Sequence, residues 1–193
     1  VVVTGEGADE MLGGYDIFKE AKVRRFCARQ PESKWRATLF ARLYPYLPQL
    51  QSQSPAYLQA FFRARPDDLD NPFFSHLPRW EMTSQLERFF SPSFLPRDDR
   101  RSRYADVSEL LPEQFFGWDH FCQAQDLETA ILMPGYIQSS QGDRAAMAHS
   151  VEGRCPFLDH RLAEFAAKMP PRLKMKGLNE KYLLKRALGD LVP

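Results

Sequence analysis

Three carboxylates, Glu6, Asp9 and Glu10, lie among glycines in the opening run Val1-Val2-Val3-Thr4-Gly5-Glu6-Gly7-Ala8-Asp9-Glu10-Met11-Leu12-Gly13-Gly14-Tyr15. Gly5 and Gly7 let the backbone approach a ligand closely and adopt torsions closed to other residues. The order of valine strand, glycine turn and helix aims turn N–H groups and a helix N-terminus at an incoming anion. A loop built only for phosphate has no need of so many acids. Their presence implies a divalent cation between carboxylate and phosphate, or a carboxylate that takes part in the chemistry. Glu6, on a short stiff turn, is the candidate reacting group. Asp9 reads as a magnesium ligand or as an N-cap. The same spacing also suits a tight turn whose acids only favour a helix dipole.

Two later stretches carry charge in patterns that matter. Asp143-Arg144 precedes Val151-Glu152-Gly153-Arg154-Cys155-Pro156-Phe157-Leu158-Asp159-His160-Arg161. Placing Glu152, Arg154, Asp159 and Arg161 around an apolar Pro-Phe-Leu is costly unless the charges pair. Most of them are expected to form a structural network leading into a helix capped by Asp159. In Glu180-Lys181-Tyr182-Leu183-Leu184-Lys185-Arg186, helical spacing puts Lys181 and Lys185 one turn apart. They form a solvated basic face, or one lysine reaches a phosphate or a developing oxyanion. The four histidines make no ligand pattern, and Ser139 and Ser140 have no glycine elbow. A zinc site and a serine nucleophile are therefore not supported.

The elements that must position these residues are mostly helical. Helices are expected over 15–30, from Ser33 through Leu43, and from Pro55 with Leu58, Phe61 and Phe62 inward. Others are expected around Trp80–Phe90, over Leu110–Leu132 with a break near Gly117, over Tyr136–Ser150, from Asp159, and over Glu180–Leu188. In the first of these, Tyr15, Phe18, Ala21 and Phe26 share a face, with Lys19, Glu20, Lys22, Arg24 and Arg25 on the exposed side. Phe121, Leu127, Ile131 and Leu132 are core candidates, as are Leu162, Phe165, Ala166 and Met169. The mixed-sign run from Arg97 to Arg103 reads as a solvated turn. The three valines read as a buried strand; beyond them no stretch alternates at period two, so the piece is expected to be mostly helical and attached to the edge of a parallel sheet.

Composition sets outer bounds. At 193 residues, 44% hydrophobic and 26% charged, the chain has the make-up of one globular domain. A formal net charge of +1 offers no field to recruit nucleic acid or an anionic membrane. There is no apolar run of about 20 residues and no signal-peptide pattern. Cys27, Cys122 and Cys155, odd in number and far apart, favour reduced thiols in a cytoplasmic protein.

Taken together and in this order, Thr4–Tyr15, Val151–Asp159 and Glu180–Arg186 resemble the signature runs of the synthetase domain of glutamine-dependent asparagine synthetases. The resemblance spans nearly the whole chain. It implies that residues 1–193 are the C-terminal portion of an α/β domain of the adenine-nucleotide α-hydrolase type (a PP-loop ATP pyrophosphatase). The expected fold is a mainly α-helical fragment with a leading β-strand. The PP-loop and the glutaminase domain are expected upstream of Val1, and the piece alone is expected not to turn over. The resemblance also implies ATP and magnesium. Aspartate's side-chain carboxylate would attack the α-phosphate, and ammonia from glutamine would then displace AMP.

Position by position, the resemblance gives Thr4, Gly5 and Gly7 to ATP binding, Glu6 and Lys181 to catalysis, and Asp9 to magnesium. Glu10, Asp143, Arg144, Glu152, Arg154 and Asp159 become a supporting network. Leu12, Gly153 and Cys155 depart from the residues usual at their positions, as does Lys185 before Arg186. These departures allow a subfamily with a different acceptor, such as a natural-product or polysaccharide precursor carboxylate. A non-catalytic helical interaction module that keeps the motifs as scaffold is the reading from another class. A homodimer is left open.

Overall fold

The computed structural model describes residues 1–94 and 104–191; the charged run 97–103 lies outside the described residues. A short strand β1 (Val2–Val3) leads to the helices α1 (Ala8–Leu12), α2 (Asp16–Ala28), α3 (Pro48–Gln51), α4 (Pro55–Phe61), α5 (Leu77–Ser84), α6 (Ala105–Glu109) and α7 (His120–Leu127). A π-helix over Glu128–Asp143 runs into α8 (Arg144–Ala148), followed by strand β2 (Gly153–Arg154). Then come α9 (His160–Ala167), α10 (Pro171–Lys174) and α11 (Tyr182–Leu188). Pro48, Pro55 and Pro171 stand in the first turns of α3, α4 and α10, where a missing N–H breaks no intrahelical bond. No described helix is long and apolar enough to cross a membrane.

Helix α2 is the hub. Ile17 and Phe18 pack with Ala124 and Met175, while Val23 joins Phe40, Leu43, Leu58 and Phe62. A third cluster gathers Phe73, Leu77, Leu111, Phe115 and Leu127, and a fourth joins Leu12 to Ala166 and Met169. Because neighbours wrap α2 on several sides, its supposed exposed face is partly internal. Lys19, Glu20 and Arg24 are buried. Tyr44 donates to Glu20, and Arg24 donates to the Phe74 carbonyl at 3.2 Å, so these polar groups go inside with partners.

Other expectations are corrected. The three valines are exposed, because β1 pairs along one edge with a two-residue partner and has no layer over it among the described residues. Phe26, Phe61, Leu132 and Phe165 are exposed rather than core. The run after Ser33 is a 3₁₀ segment, Arg36–Arg42, not an α-helix. Pro134 does not separate two helices: the π-helix passes through it. A π turn is wider than an α turn and leaves room for the pyrrolidine ring, at the loss of one ladder bond.

Candidate active site

The parallel pairing of β1 with β2 builds the first half of the site. Val2 stands opposite Gly153 and Val3 opposite Arg154. The bonds Val2 N–H to Glu152 O at 2.8 Å and Thr4 N–H to Arg154 O at 2.9 Å lock that register. The next residues along both strands therefore meet side by side. Cys155 Sγ lies 3.3 Å from Thr4 Oγ1, and its thiol donates to Glu6 Oε2 at 3.4 Å. The far wall is Gly142, where a Cβ would sit 3.4 Å from Glu6 Oε1. Glu6 thus has a thiol on one side and the bare backbone of Gly142 on the other.

The turn after Glu6 folds onto the second motif. Gly7 has φ +89°, and a Cβ there would lie 2.3 Å from Leu158 Cδ2. Glycine is needed both for the torsion and for the close approach. Gly7, not Asp9, is the N-cap of α1. Asp9 is turned instead toward Lys181, whose Nζ lies 2.8 Å from Asp9 Oδ1. Gly14 flanks that pair; a Cβ there would stand 2.0 Å from Asp9 Oδ1 and 2.1 Å from Lys181 Cε. The Asp9 side chain is about one third exposed and Lys181 about one quarter, so the pair is open to solvent.

Lys181 is not inside a helix. It is the residue before α11 and takes the left-handed conformation, φ +48° and ψ +35°. A β-carbon in that region is strained, and such residues persist where surrounding contacts hold them. Lys19 Nζ binds Asp16 at 2.8 Å and Glu180 at 3.4 Å, and Lys185 Nζ binds Glu180 at 2.9 Å. Burial opposes the Glu180 charge, yet backbone donation and the two lysines hold its carboxyl below the usual glutamate value.

Beneath the loop lies a support of buried polar groups. Glu10 is 2% exposed and accepts from the Tyr15 hydroxyl at 2.7 Å. Burial, then that bond to Glu10, pushes the Tyr15 hydroxyl far up. Gln125 Nε2 donates to the carbonyls of Glu10 at 2.6 Å and Met11 at 3.3 Å. Its Oε1 accepts from Lys174 Nζ at 2.8 Å. Gln125, Lys174, Gly142 and the Cys155 contact were not picked out from the sequence. The available signal was Gln125 itself, one turn after Phe121, a polar residue where α7 should be apolar.

The remaining sequence candidates separate from this centre. Glu152 and Arg154 pair with each other across β2, both more than half exposed. Asp159 accepts from the Arg161 backbone N–H at 2.9 Å as N-cap of α9 and binds the Arg161 guanidinium, which holds its carboxyl well below the ordinary range. The expected single network is two local pairs. Asp143 and Arg144 are exposed at the end of the π-helix. They stand next to Gly142 and the Glu6 wall. Thr4 and Gly5 occupy the mouth of the loop, with the Gly5 carbonyl accepting from Ala8 N–H at 3.1 Å. Among the described residues, no three His, Cys, Asp or Glu side chains gather as a cage for a metal ion.

Comparison with known proteins gives the family of the chain. Residues 1–193 match the family described as asparagine synthase. Amidase chyE of Penicillium rubens is 32% identical, covering 100% of this chain and 30% of that protein. Amidase chry2 of Gibberella zeae is 30% identical over 99% of this chain and 30% of its own length. A putative glutamine-hydrolyzing asparagine synthetase of Mycobacterium bovis is 29% identical, covering 100% of this chain and 28% of its own. The chain therefore spans less than a third of the length of these relatives. No solved structure matches.

Proposed function

This chain belongs to the asparagine synthase family, and from that premise we propose that it supplies one wall of a site for ATP-dependent amide formation through an acyl-adenylate. The observation that carries the reading is the convergence of three separated motifs on one loop. Glu6 meets the 152–158 segment, and Asp9 meets Lys181 at 2.8 Å.

A carboxylate acceptor attacks the α-phosphate of ATP and releases pyrophosphate; an amine then displaces AMP. Lys181 is a compact, rotatable cation at the loop mouth, suited to follow charge from phosphate to tetrahedral intermediate. Held by Asp9 in the free protein, it exchanges that partner for a phosphate oxygen when nucleotide arrives. Glu6 orients the reacting groups for adenylate formation and then accepts the proton that ammonia sheds on attack. Asp9 fits magnesium in the mode in which one carboxylate binds together with substrate phosphates rather than in an all-protein cage. Such an ion would offset charge on the leaving pyrophosphate.

The acceptor we favour is aspartate, with ammonia derived from glutamine elsewhere in the natural protein. A second reading has a specific basis: the two fungal amidases are at least as similar to this chain as the mycobacterial synthetase is, and Cys155 stands beside Glu6. In that reading the acceptor is another carboxylate. ATP–pyrophosphate exchange in the natural full-length protein tests both. Exchange should depend on one carboxylate of a panel that includes aspartate, and Glu6→Gln and Lys181→Met should each lower it at least about a hundredfold. Wild-type exchange in either variant removes the site assignment; exchange with a carboxylate other than aspartate selects the second reading.

A further inference from the structure

The register that sets β1 beside β2 also strings three side chains into a chain of hydrogen bonds. Thr4 Oγ1 lies 3.3 Å from Cys155 Sγ, and the Cys155 thiol donates to Glu6 Oε2 at 3.4 Å. With its one proton directed at the carboxylate, the thiol meets Thr4 through its sulfur lone pairs, so the threonine hydroxyl is the donor there. The order is hydroxyl, thiol, carboxylate, each bond polarising the next. All three residues are half-buried, so water competes for these bonds less than it would at an open surface.

The two oxygens of Glu6 are not equivalent. Oε2 takes the thiol, whereas Oε1 takes no hydrogen bond among the described residues. Beside Oε1 lies Gly142, where a Cβ would stand 3.4 Å away. Glycine leaves that space to an incoming group. A glutamate side chain loses rotamer entropy when it holds one orientation, so a fixed carboxylate needs a partner. The Cys155 thiol is such a partner, and it engages one oxygen only.

We propose that Cys155 is a positioning residue: its thiol fixes Glu6 by Oε2 and leaves Oε1 as the oxygen that works in amide formation. This rests on the acyl-adenylate reading given above. In that step the ammonia nitrogen attacks the acyl carbon, and the new C–N bond forms. The bond from that carbon to the AMP oxygen breaks, and its electron pair leaves with AMP. The proton shed by nitrogen passes to Glu6 Oε1, while Cys155 keeps its own proton on Oε2 throughout.

The test uses the natural full-length protein, ammonium chloride as amine, and the carboxylate that gives the fastest wild-type ATP–pyrophosphate exchange. A thiol is a weak donor, so the effect is modest. Cys155→Ala should lower kcat for amide formation about fivefold, with the KM for ammonium little changed. Cys155→Ser keeps a donor and should recover at least about half of the wild-type rate, which a merely packed side chain would not require. The contact itself is read without turnover, from the infrared S–H stretching band that Cys155→Ala removes. That band should move to higher wavenumber in Glu6→Ala, where the acceptor is gone. Wild-type kcat in Cys155→Ala, a serine variant no better than the alanine one, or an unmoved S–H band overturns the proposal. Glu6→Gln separates it from the reaction. Exchange lost in Glu6→Gln beside wild-type kcat in Cys155→Ala sinks the positioning role alone; wild-type exchange in Glu6→Gln removes both.

Discussion

Lys181 concentrates the residue-scale argument, because its charge and its backbone ask for opposite things. The ammonium must stand beside Asp9, and the left-handed torsion that puts it there disfavours any side chain with a β-carbon. Strain of this kind is stored where a site needs a geometry that the chain would not choose. Replacing the lysine therefore has a signature that separates function from fold. Lys181→Gly should be more stable than Lys181→Ala by about 1 kcal/mol, since only glycine relaxes there, while both lose carboxylate-dependent exchange. Thermal melts of the two variants decide this; equal melting temperatures would show that the torsion carries no strain. Neither the torsion nor the Asp9 pairing was legible in the residues. The lysine was legible as a family position, but helical spacing placed it inside α11 rather than at its entrance. Periodicity reads the path of a regular helix and is blind to the residue that turns the chain into it.

At the scale of elements, the caps spoke plainly, the prolines in part, and the non-local contacts did not. Pro55 marks a helix start and Asp159 caps α9 as their types suggest, while Pro48 and Pro171, which read as helix stops, open the short helices α3 and α10. Strand β2 was missed because Gly153-Arg154 has no strand composition; it exists only through its pairing with β1. The exposed face assigned to α2 failed for a related reason, since three of its charges find partners contributed by distant segments. The same logic singles out Gln125, which ties α7 to the floor of the loop and to α10. Gln125→Leu keeps the volume but strands Lys174 Nζ, already shifted toward its neutral form by burial. It also removes the donor from two loop carbonyls. A loss of about 2–3 kcal/mol is expected, read as a lower urea midpoint at unchanged slope. A midpoint within error of wild type would mean that solvent replaces the glutamine freely.

At the scale of the whole molecule, Glu180 ties the entrance of the C-terminal helix from two sides, to Lys19 on α2 and to Lys185 on α11. This makes the placement of Lys181 a function of pH. The Glu180 carboxyl is held below its ordinary value of 4.5, with burial opposed by backbone donation and the two lysines. A depressed carboxylate contributes stability that is complete above its unfolded-state value and is lost as pH falls through the folded-state value. Lys19 has the opposite sign: burial lowers it, but the bond and charge of Asp16 and the charge of Glu180 outweigh that and raise it. Its share is complete below the ordinary lysine value of 10.5 and disappears only above it. Near neutral pH both contributions are present, and acid removes the one that Glu180 makes. Melting temperatures from pH 7 down to pH 3 should therefore converge for wild type and Glu180→Gln, with the variant lower at pH 7. Because Glu180 is partly exposed, added salt should narrow the gap at pH 7. Curves that stay parallel down to pH 3 would show that the lysines do not depend on this charge, and the anchoring of Lys181 would then rest on the apolar contacts of Leu183 and Leu184 with the Leu12 cluster.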